Sequence, residues 1–218
     1  MQQEEAAAPE PKKLTAAQAR RVAARDAILA ATRALIAEDG FSGAQMSLIA
    51  VRAGVGVGSI YKHFPSRADL FAEIYRDVAD REFGRVQAAV AATDGGASSK
   101  IAAAVSTFCA RALRGGRFAH ALLVEHSEPD VDEHRLAFRE GYRALFRELL
   151  HEGIAQGEIP AQDTDTSAAA LLGIMTETLV RPLGELSEKR APDTLTAQVV
   201  TLCLAAVQAS PHVIDRWR

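Results

Sequence analysis

The stretch that decides the fold is residues 49–65, which read IAVRAGVGVGSIYKHFP. Apolar residues at helical spacing lie on both sides of the glycines and predict two short helices, residues 46–53 and 58–64, the second stopped by Pro65. Gly54 can adopt the positive φ angle that a tight turn between them requires. A short amphipathic helix, a glycine-containing turn and a second short helix are the parts of a helix-turn-helix.

The predicted packing of this motif leaves a polar outer surface with an exposed aromatic ring. Ala50 is small enough for the two helices to cross closely, and Val55 fills the corner between them. Ile60 and Phe64 anchor the second helix to the first. The residues left facing outward are Val57, Gly58, Ser59, Tyr61, Lys62 and His63. Such a surface suits duplex DNA, because a tyrosine ring can contact base edges or sugars while the cations contact phosphates. An ordinary solvated helix face is the alternative.

The glycines at positions 54, 56 and 58 also allow the hypothesis of a phosphate-binding loop. A dinucleotide-binding loop follows a strand within a βαβ unit, whereas here a helix precedes the glycines. The Lys-Ser/Thr pair of a P-loop is also missing after them. The sequence therefore favours the helix-turn-helix.

The rest of the chain is predicted to be helical. Thr15 and Ser66 are suitable N-cap residues, and Gly40 stands where a C-terminal cap belongs. The further predicted helices are 15–39, 67–92, 98–114, 117–126, 132–156, 164–186 and 193–209, with a linker at 93–96. No strand-like alternation and no internal repeat is present. The predicted fold class is all-α.

Charge is distributed unevenly along a chain whose net charge is only -3. Residues 12–67 contain nine Lys or Arg and three Asp or Glu, a local charge of +6, whereas residues 68–218 carry a local charge of -6. A basic first third can attract phosphate while the remainder stays well hydrated. A basic end that binds an acidic protein partner is the alternative.

Several features point to a cytoplasmic protein. No apolar run reaches the roughly 20 residues needed to span a bilayer, and the first residues lack the pattern of a secretory signal. Residues 1–13 are rich in Ala, Pro, Glu and Lys, which predicts a disordered tail. Cys109 and Cys203 are the only cysteines and lie far apart in the sequence, so they predict buried thiols in a reducing compartment.

The N-terminal sequence resembles the DNA-binding domain of TetR-family regulators over about residues 20–80. The matching positions are Gly40-Phe41, Ile49-Ala50, Ala53-Gly54-Val55, Gly58-Ser59-Ile60-Tyr61, His63-Phe64-Pro65-Ser66-Arg67 and Leu70-Phe71. The resemblance implies a three-helix helix-turn-helix domain at 14–66, followed at 67–218 by a helical domain that binds a small-molecule effector and dimerises. Residues 134–142 and 153–160 are similar to the effector domain of one subset of the family.

The resemblance also implies roles for individual residues. Val57, Gly58 and Tyr61 would face bases in the major groove, with Ser59 on the same surface. Lys62, His63 and Arg67 would hold phosphates, and Gln45 and Ser47 would approach the backbone. Gln45 departs from the family, which usually has Ser or Thr as the helix cap there. Either Ser47 assists the cap or Gln45 binds DNA directly, and both alternatives stay open.

An effector pocket is expected among the helices that follow the linker. Candidate lining residues are Phe108, Phe118, Leu122, Phe138, Tyr142, Phe146 and Met175, with His126 or Glu177 as polar anchors. Each apolar residue can equally be plain core, since pockets and cores have similar compositions. No cofactor is expected.

A cluster of His and carboxylate residues spans positions 125–134 and allows a rival hypothesis. His126, Asp130 and His134 could hold a metal ion in a small helical metal protein or enzyme. Their spacing matches no standard site, and a solvated acidic loop is favoured.

The sequence thus predicts a homodimeric, ligand-responsive repressor that binds a palindromic operator in double-stranded DNA. Helices 164–186 and 193–209 have wide apolar sectors, as expected of a four-helix dimer interface or of central core helices in a monomer. We expect the effector to act through helix 67–92, which joins the basic and acidic regions.

Overall fold

Every regular element of the structure is helical. The computed structural model describes residues 15–125, 129–184, 191–209 and 211–217, so the predicted tail at 1–13 lies outside the described residues. The helices are α1 (Ala16–Gly43), α2 (Met46–Ala53), α3 (Val57–His63), α4 (Arg67–Ala91), α5 (Ala97–Val124), α6 (Pro129–Ala155), α7 (Thr164–Gly184), α8 (Pro192–Ala206) and α9 (Pro211–Ile214), and a 3₁₀ turn spans Asp215–Trp217. The all-α prediction is confirmed. Within the described residues, no helix has both the length and the apolar character needed to cross a bilayer.

The capping signals read from the sequence define the N-terminal helices. The Thr15 hydroxyl accepts a hydrogen bond from the Gln18 N–H, and the Gln18 side chain returns one to the Thr15 backbone, which completes a capping box. Ser66 caps α4 by accepting from the Asp69 N–H at 3.0 Å. Gly40 has φ 72° and ψ -172° and interrupts α1, so the regular helix ends where the sequence predicts.

Helix α5 joins two segments that the sequence predicts as separate helices, 98–114 and 117–126. Gly116 lies between them with φ 51°, and the helix changes direction there. The second segment ends at Val124 and lies against the N-terminal helices, because Ala121 and Leu122 are buried in their core. The break at Gly116 therefore brings the end of α5 to the N-terminal part of the molecule.

Two hydrophobic cores meet along α4. The first encloses α1–α3 and α4 as far as Ala79, and it also takes in Ala121 and Leu122 of α5. The second begins at Val86 of α4 and packs α5, α6, α7 and α8 together. The domain division at residue 67 stays a prediction, and the packing shows that α4 belongs to both cores.

Ion pairs tie α4 to the helices on either side of it. They are Arg25–Glu73 and Arg33–Asp77 to α1, and Arg111–Glu82 to α5. Partly exposed pairs of this kind contribute less than about 1 kcal/mol each. Their main effect is to fix the orientation of α4 between its neighbours.

Candidate DNA-binding surface and effector cavity

The turn between α2 and α3 has the geometry that the sequence predicts. Gly54 adopts φ 67° and ψ 30°, the left-handed conformation. Its N–H donates to the Val51 carbonyl at 3.2 Å, and the Val55 N–H donates to the Ala50 carbonyl at 3.0 Å. These two bonds form a Schellman motif, which satisfies the free carbonyls at the end of α2. The prediction of a positive φ at Gly54 is confirmed.

Helix α3 buries its anchor residues and exposes the others. Ile60 is fully buried and Phe64 nearly so, whereas Tyr61 is 48% and Val57 41% exposed. Gly58 and Lys62 are also exposed, and Ser59 and His63 are partly buried. The predicted outer surface of α3 is therefore present, with Tyr61 and Lys62 adjacent on it.

The start of α2 leaves two polar side chains free beside this surface. Gln45 occupies the N-cap position with φ -75° and ψ 144°, yet its side chain makes no capping hydrogen bond. Ser47 is exposed, as is Gln45. Neither the Gln45 nor the Ser47 side chain caps the helix. Both are therefore available to contact the sugar-phosphate backbone of DNA.

Arg67 is held by the protein itself. Its guanidinium donates to the Phe41 carbonyl at 2.8 Å and lies over the Phe71 ring, 4.7 Å from the centroid. These contacts fasten the first turn of α4 to the end of α1. The phosphate contact of Arg67 stays a prediction.

A cavity of about 400 Å³ lies where α1, α4, α5 and α6 meet. Its wall is largely aromatic and aliphatic, with arginines among the remaining residues. The lining residues are Arg33, Tyr75, Val78, Ala79, Arg81, Glu82, Val86, Phe108, Arg111, Ala112, Arg114, Gly115, Phe118, Ala119, Leu122, Leu123, Phe138 and Tyr142. Volume and lining are those of a site for a small organic ligand.

The cavity brings together five of the nine residues proposed from sequence as ligand-binding. These are Phe108, Phe118, Leu122, Phe138 and Tyr142. Phe146 and Met175 are fully buried core residues that do not line the cavity, and Glu177 is exposed on α7. His126 lies outside the described residues. Apolar spacing identified inward-facing positions but not which of them border a void.

Sequence reasoning missed the contribution of α1 and α4 to this wall. It placed the pocket after the linker, so Arg33, Tyr75, Arg81 and Glu82 were not considered. Tyr75 belongs to an apolar stripe that predicts ordinary core. No sequence signal separates the two roles, because the stripe faces both the core and the cavity.

Burial keeps the phenols of the cavity neutral. Desolvation raises the pKa of Tyr75 to about 12, and it also raises the pKa of Tyr142. Glu82 stays ionised, because its hydrogen bond from Arg111 lowers the pKa of its carboxyl group. The cavity wall thus combines neutral aromatic groups with an ion pair.

A second feature links the cavity wall to the DNA-binding region. Glu125 follows α5 directly, and its carboxylate accepts a hydrogen bond from the Phe41 N–H at 3.0 Å. Arg135 of α6 donates to the Glu125 carbonyl at 2.6 Å and to the Leu122 carbonyl at 3.2 Å. Since Leu122 lines the cavity, one network connects the wall to the end of α1.

The rival metal-site hypothesis rests on His126, Asp130 and His134, of which only the His134 side chain is described. Across the described ranges, no group of three or more His, Cys, Asp or Glu side chains is arranged to hold a metal ion. His126 and the side chain of Asp130 fall outside what the structure describes.

The two cysteines are buried free thiols, and desolvation raises the pKa of each to about 12.

Comparison with known proteins gives family matches to both halves of the chain. Residues 28–74 match the family of bacterial regulatory proteins named after TetR. Residues 94–207, more than half of the chain, match the tetracyclin repressor-like C-terminal domain.

Curated relatives match over the N-terminal region. The repressor KstR of Mycobacterium tuberculosis is 39% identical over 64 residues, 29% of this chain and 27% of that protein. KstR of Rhodococcus jostii is 40% identical over 62 residues, 28% of this chain and 27% of that protein. The match thus covers only about a quarter of these relatives' length.

Solved structures share the fold over most of the chain. FadR of Bacillus subtilis, crystallised with stearoyl-CoA, superposes with a TM-score of 0.72 at 23% identity, covering 84% of this chain and 98% of that one. AibR in complex with isovaleryl coenzyme A and operator DNA gives 0.68 at 19% identity, covering 82% and 97%. With both halves matched to their family models, the chain belongs to the TetR family of bacterial regulatory proteins.

Proposed function

We propose that this protein is a ligand-responsive transcriptional repressor that binds a palindromic operator as a homodimer. The observation that carries the proposal is the exposed Tyr61–Lys62 surface of α3, held outward by the turn at Gly54. A recognition helix of this kind lies in the major groove, and two-fold symmetry of the protein requires two related half-sites. The protein would act in the cytoplasm, where it meets duplex DNA.

The dimer interface is proposed to form from the outer faces of α7 and α8. The inner faces of both helices belong to the second core, as a central core helix requires. Their outer faces nevertheless expose small or apolar residues: Ala169, Ala170 and Gly173 on α7, and Leu202, 53% exposed, with Ala205 on α8. Such faces allow close approach of two helices from a second copy.

The effector is proposed to bind in the cavity and to act on the recognition helix α3 along two routes. One is α4, which lines the cavity through Tyr75 and Glu82 and begins directly after α3. The other is the hydrogen bond from Phe41 to Glu125. A ligand that fits one arrangement of these elements better than another increases the population of that arrangement. The distance between the two α3 helices of the dimer would change with it.

The proposed class of effector is an acyl thioester of coenzyme A. The apolar wall suits an acyl chain, and four arginines among the lining residues suit a phosphorylated head group: Arg33, Arg81, Arg111 and Arg114. FadR of Bacillus subtilis was crystallised with such a compound, and AibR was crystallised with another. We propose a regulatory rather than a catalytic role for this pocket.

The test is footprinting of the purified protein on the DNA that flanks its own gene, with bulk DNA as competitor. We expect a protected region with two-fold symmetry, and release of that region when a long-chain acyl-CoA is added. Binding to all duplexes with equal affinity would contradict sequence-specific repression. Preference for an acidic protein over DNA would favour an interaction module, and a stoichiometric bound metal would favour the metal-protein alternative.

A further inference from the structure

We propose that Tyr142 recognises the effector by donating a hydrogen bond to an uncharged carbonyl oxygen, and so selects acyl compounds among apolar ligands. This inference rests on the proposed role of the cavity as the effector site. It names a specificity-determining residue and the ligand atom that this residue contacts.

The first observation is a buried hydroxyl without a partner. Tyr142 has no exposed surface, and its hydroxyl oxygen has no hydrogen-bond partner among the residues that the structure describes. Buried polar groups in folded proteins are nearly always hydrogen-bonded, because an unpaired one has lost its contact with water without compensation. An unpaired hydroxyl on a residue that lines a cavity therefore indicates a ligand acceptor.

The second observation is that the ring is fixed in place. The Tyr142 ring lies 4.9 Å from Phe83, 5.4 Å from Phe108 and 4.9 Å from Phe138, measured between centroids. A ring packed on three sides cannot turn its hydroxyl toward solvent without disturbing the aromatic cluster. The hydroxyl is thus fixed on a residue that borders the cavity, and in the proposed complex the ligand there is its partner.

The polar neighbours of Tyr142 are already committed to one another. Arg111 donates to the Glu82 carboxylate at 2.8 Å, and Arg85 donates to the same carboxylate, also at 2.8 Å. The Tyr142 phenol stays neutral, so it can donate a hydrogen bond to an acceptor but forms no ion pair with a cation. An uncharged acceptor fits this apolar setting, whereas a carboxylate there would lack a free cation.

A free cation is available elsewhere on the cavity wall. Arg114 lines the cavity, is exposed, and makes no ion pair with any residue in the described ranges. A ligand that places a carbonyl at Tyr142 and an anionic group at Arg114 satisfies both. An acyl thioester with a phosphorylated head has this order of groups, with the carbonyl between the apolar chain and the anion.

The experiment compares two probes that differ in one oxygen atom. Isothermal titration calorimetry would measure binding of dodecanoyl-CoA and of S-dodecyl-CoA, the thioether without the carbonyl oxygen, to the wild-type protein and to Tyr142→Phe. We expect Tyr142→Phe to weaken dodecanoyl-CoA binding on the order of ten-fold. The wild-type protein should bind the thioether more weakly than dodecanoyl-CoA. Tyr142→Phe should leave the affinity for the thioether unchanged.

The matched control is Tyr75→Phe, which removes a hydroxyl from the same cavity. The Arg135 guanidinium lies over the Tyr75 ring, 6.0 Å from its centroid. Because the carbonyl contact is assigned to Tyr142 alone, loss of the Tyr75 hydroxyl should not change the preference for thioester over thioether. Thermal unfolding of both variants would show that each is folded.

Each remaining outcome has a defined meaning. If Tyr142→Phe lowered the affinity for both probes equally, or for neither, Tyr142 would not be the residue that donates to the ligand carbonyl. Failure of the wild type to bind either probe, with an intact operator footprint, would overturn the effector class and this assignment but leave the repressor function. Carbonyl-dependent binding without any operator footprint would support Tyr142 and contradict the repressor.

Discussion

The carboxylate of Glu125, at the end of α5, accepts a hydrogen bond from the backbone N–H of Phe41, at the end of α1. These residues lie 84 positions apart in the sequence and belong to different parts of the molecule. The Arg67 guanidinium donates a hydrogen bond to the Phe41 carbonyl at 2.8 Å. Phe41 is therefore held at both of its polar backbone groups, once by the residue that follows α5 and once by α4.

Replacement of Glu125 should weaken communication between cavity and operator without removing either site. Glu125→Ala deletes the acceptor for the Phe41 N–H, whereas Glu125→Gln retains an oxygen that can accept the same bond. We expect Glu125→Ala to reduce the ligand-induced change in operator affinity at least three-fold, with ligand affinity nearly unchanged; loss of about 1 kcal/mol of coupling would produce such an effect. Fluorescence anisotropy with operator DNA and dodecanoyl-CoA would measure both. A wild-type response in Glu125→Ala would exclude this route.

Gly40→Ala should destabilise the protein more than Gly54→Ala. Gly40 has φ 72° and ψ -172°, a region occupied almost only by glycine, and an added Cβ would clash with the Glu125 carboxylate. Gly54 has φ 67° and ψ 30°, and a Cβ there would meet nothing within 4 Å. Strain alone costs about 1–2 kcal/mol at Gly54, and Gly40 adds the clash. Urea unfolding would measure the free energy of unfolding of the two variants. An equal decrease in both would show that the Glu125 contact adds nothing.

Tyr61→Ala and Lys62→Ala should weaken DNA binding in different ways. Tyr61 is proposed to contact bases, so removal of its ring should weaken specific binding by about 1–3 kcal/mol and non-specific binding much less. Lys62 is proposed to contact a phosphate, so its replacement should weaken both kinds of binding about equally and reduce the salt slope by about one unit. Titrations of operator and bulk DNA at several salt concentrations would separate them. If Tyr61→Ala weakened specific and non-specific binding equally, Tyr61 would have no part in base recognition.

The Glu82–Arg111 pair should stabilise the fold in a pH-dependent way. The hydrogen bond from Arg111 lowers the pKa of Glu82 below its ordinary value of 4.5 in the folded protein. A carboxyl group with a lowered folded-state pKa contributes stability that is fully present above the unfolded value and is lost as pH falls through the folded one. We expect Glu82→Gln to lower the melting temperature near neutral pH, with the difference from wild type shrinking below pH 4.5. A difference that is constant with pH would contradict an ionic contribution.

Local signals in the sequence were sufficient to predict the helix-turn-helix. Gly54 was identified from its place between two short apolar patterns, and its left-handed conformation is confirmed. Thr15 and Ser66 were identified as caps, and both make the predicted hydrogen bonds. Such features depend on residues within a few positions of one another, so a short window contains all the necessary information.

The effector cavity could be predicted only in part. Aromatic residues of α5 and α6 were expected to border it, but the arginines and Tyr75 from α1 and α4 were not. The Glu125–Phe41 bond was not foreseen either, because nothing near either residue indicates the other. A void forms where side chains from distant helices fail to fill space, and no single helix contains that information.

The sequence by itself determined most of the helices, the caps at Thr15 and Ser66, the turn at Gly54 and the side of α3 that faces outward. Only the tertiary structure decided that α4 is shared between two cores, which residues enclose the cavity, and that Glu125 reaches Phe41. The reason is physical: backbone geometry and helix periodicity act over a few residues, whereas a cavity and a long-range hydrogen bond depend on the packing of helices far apart in the chain.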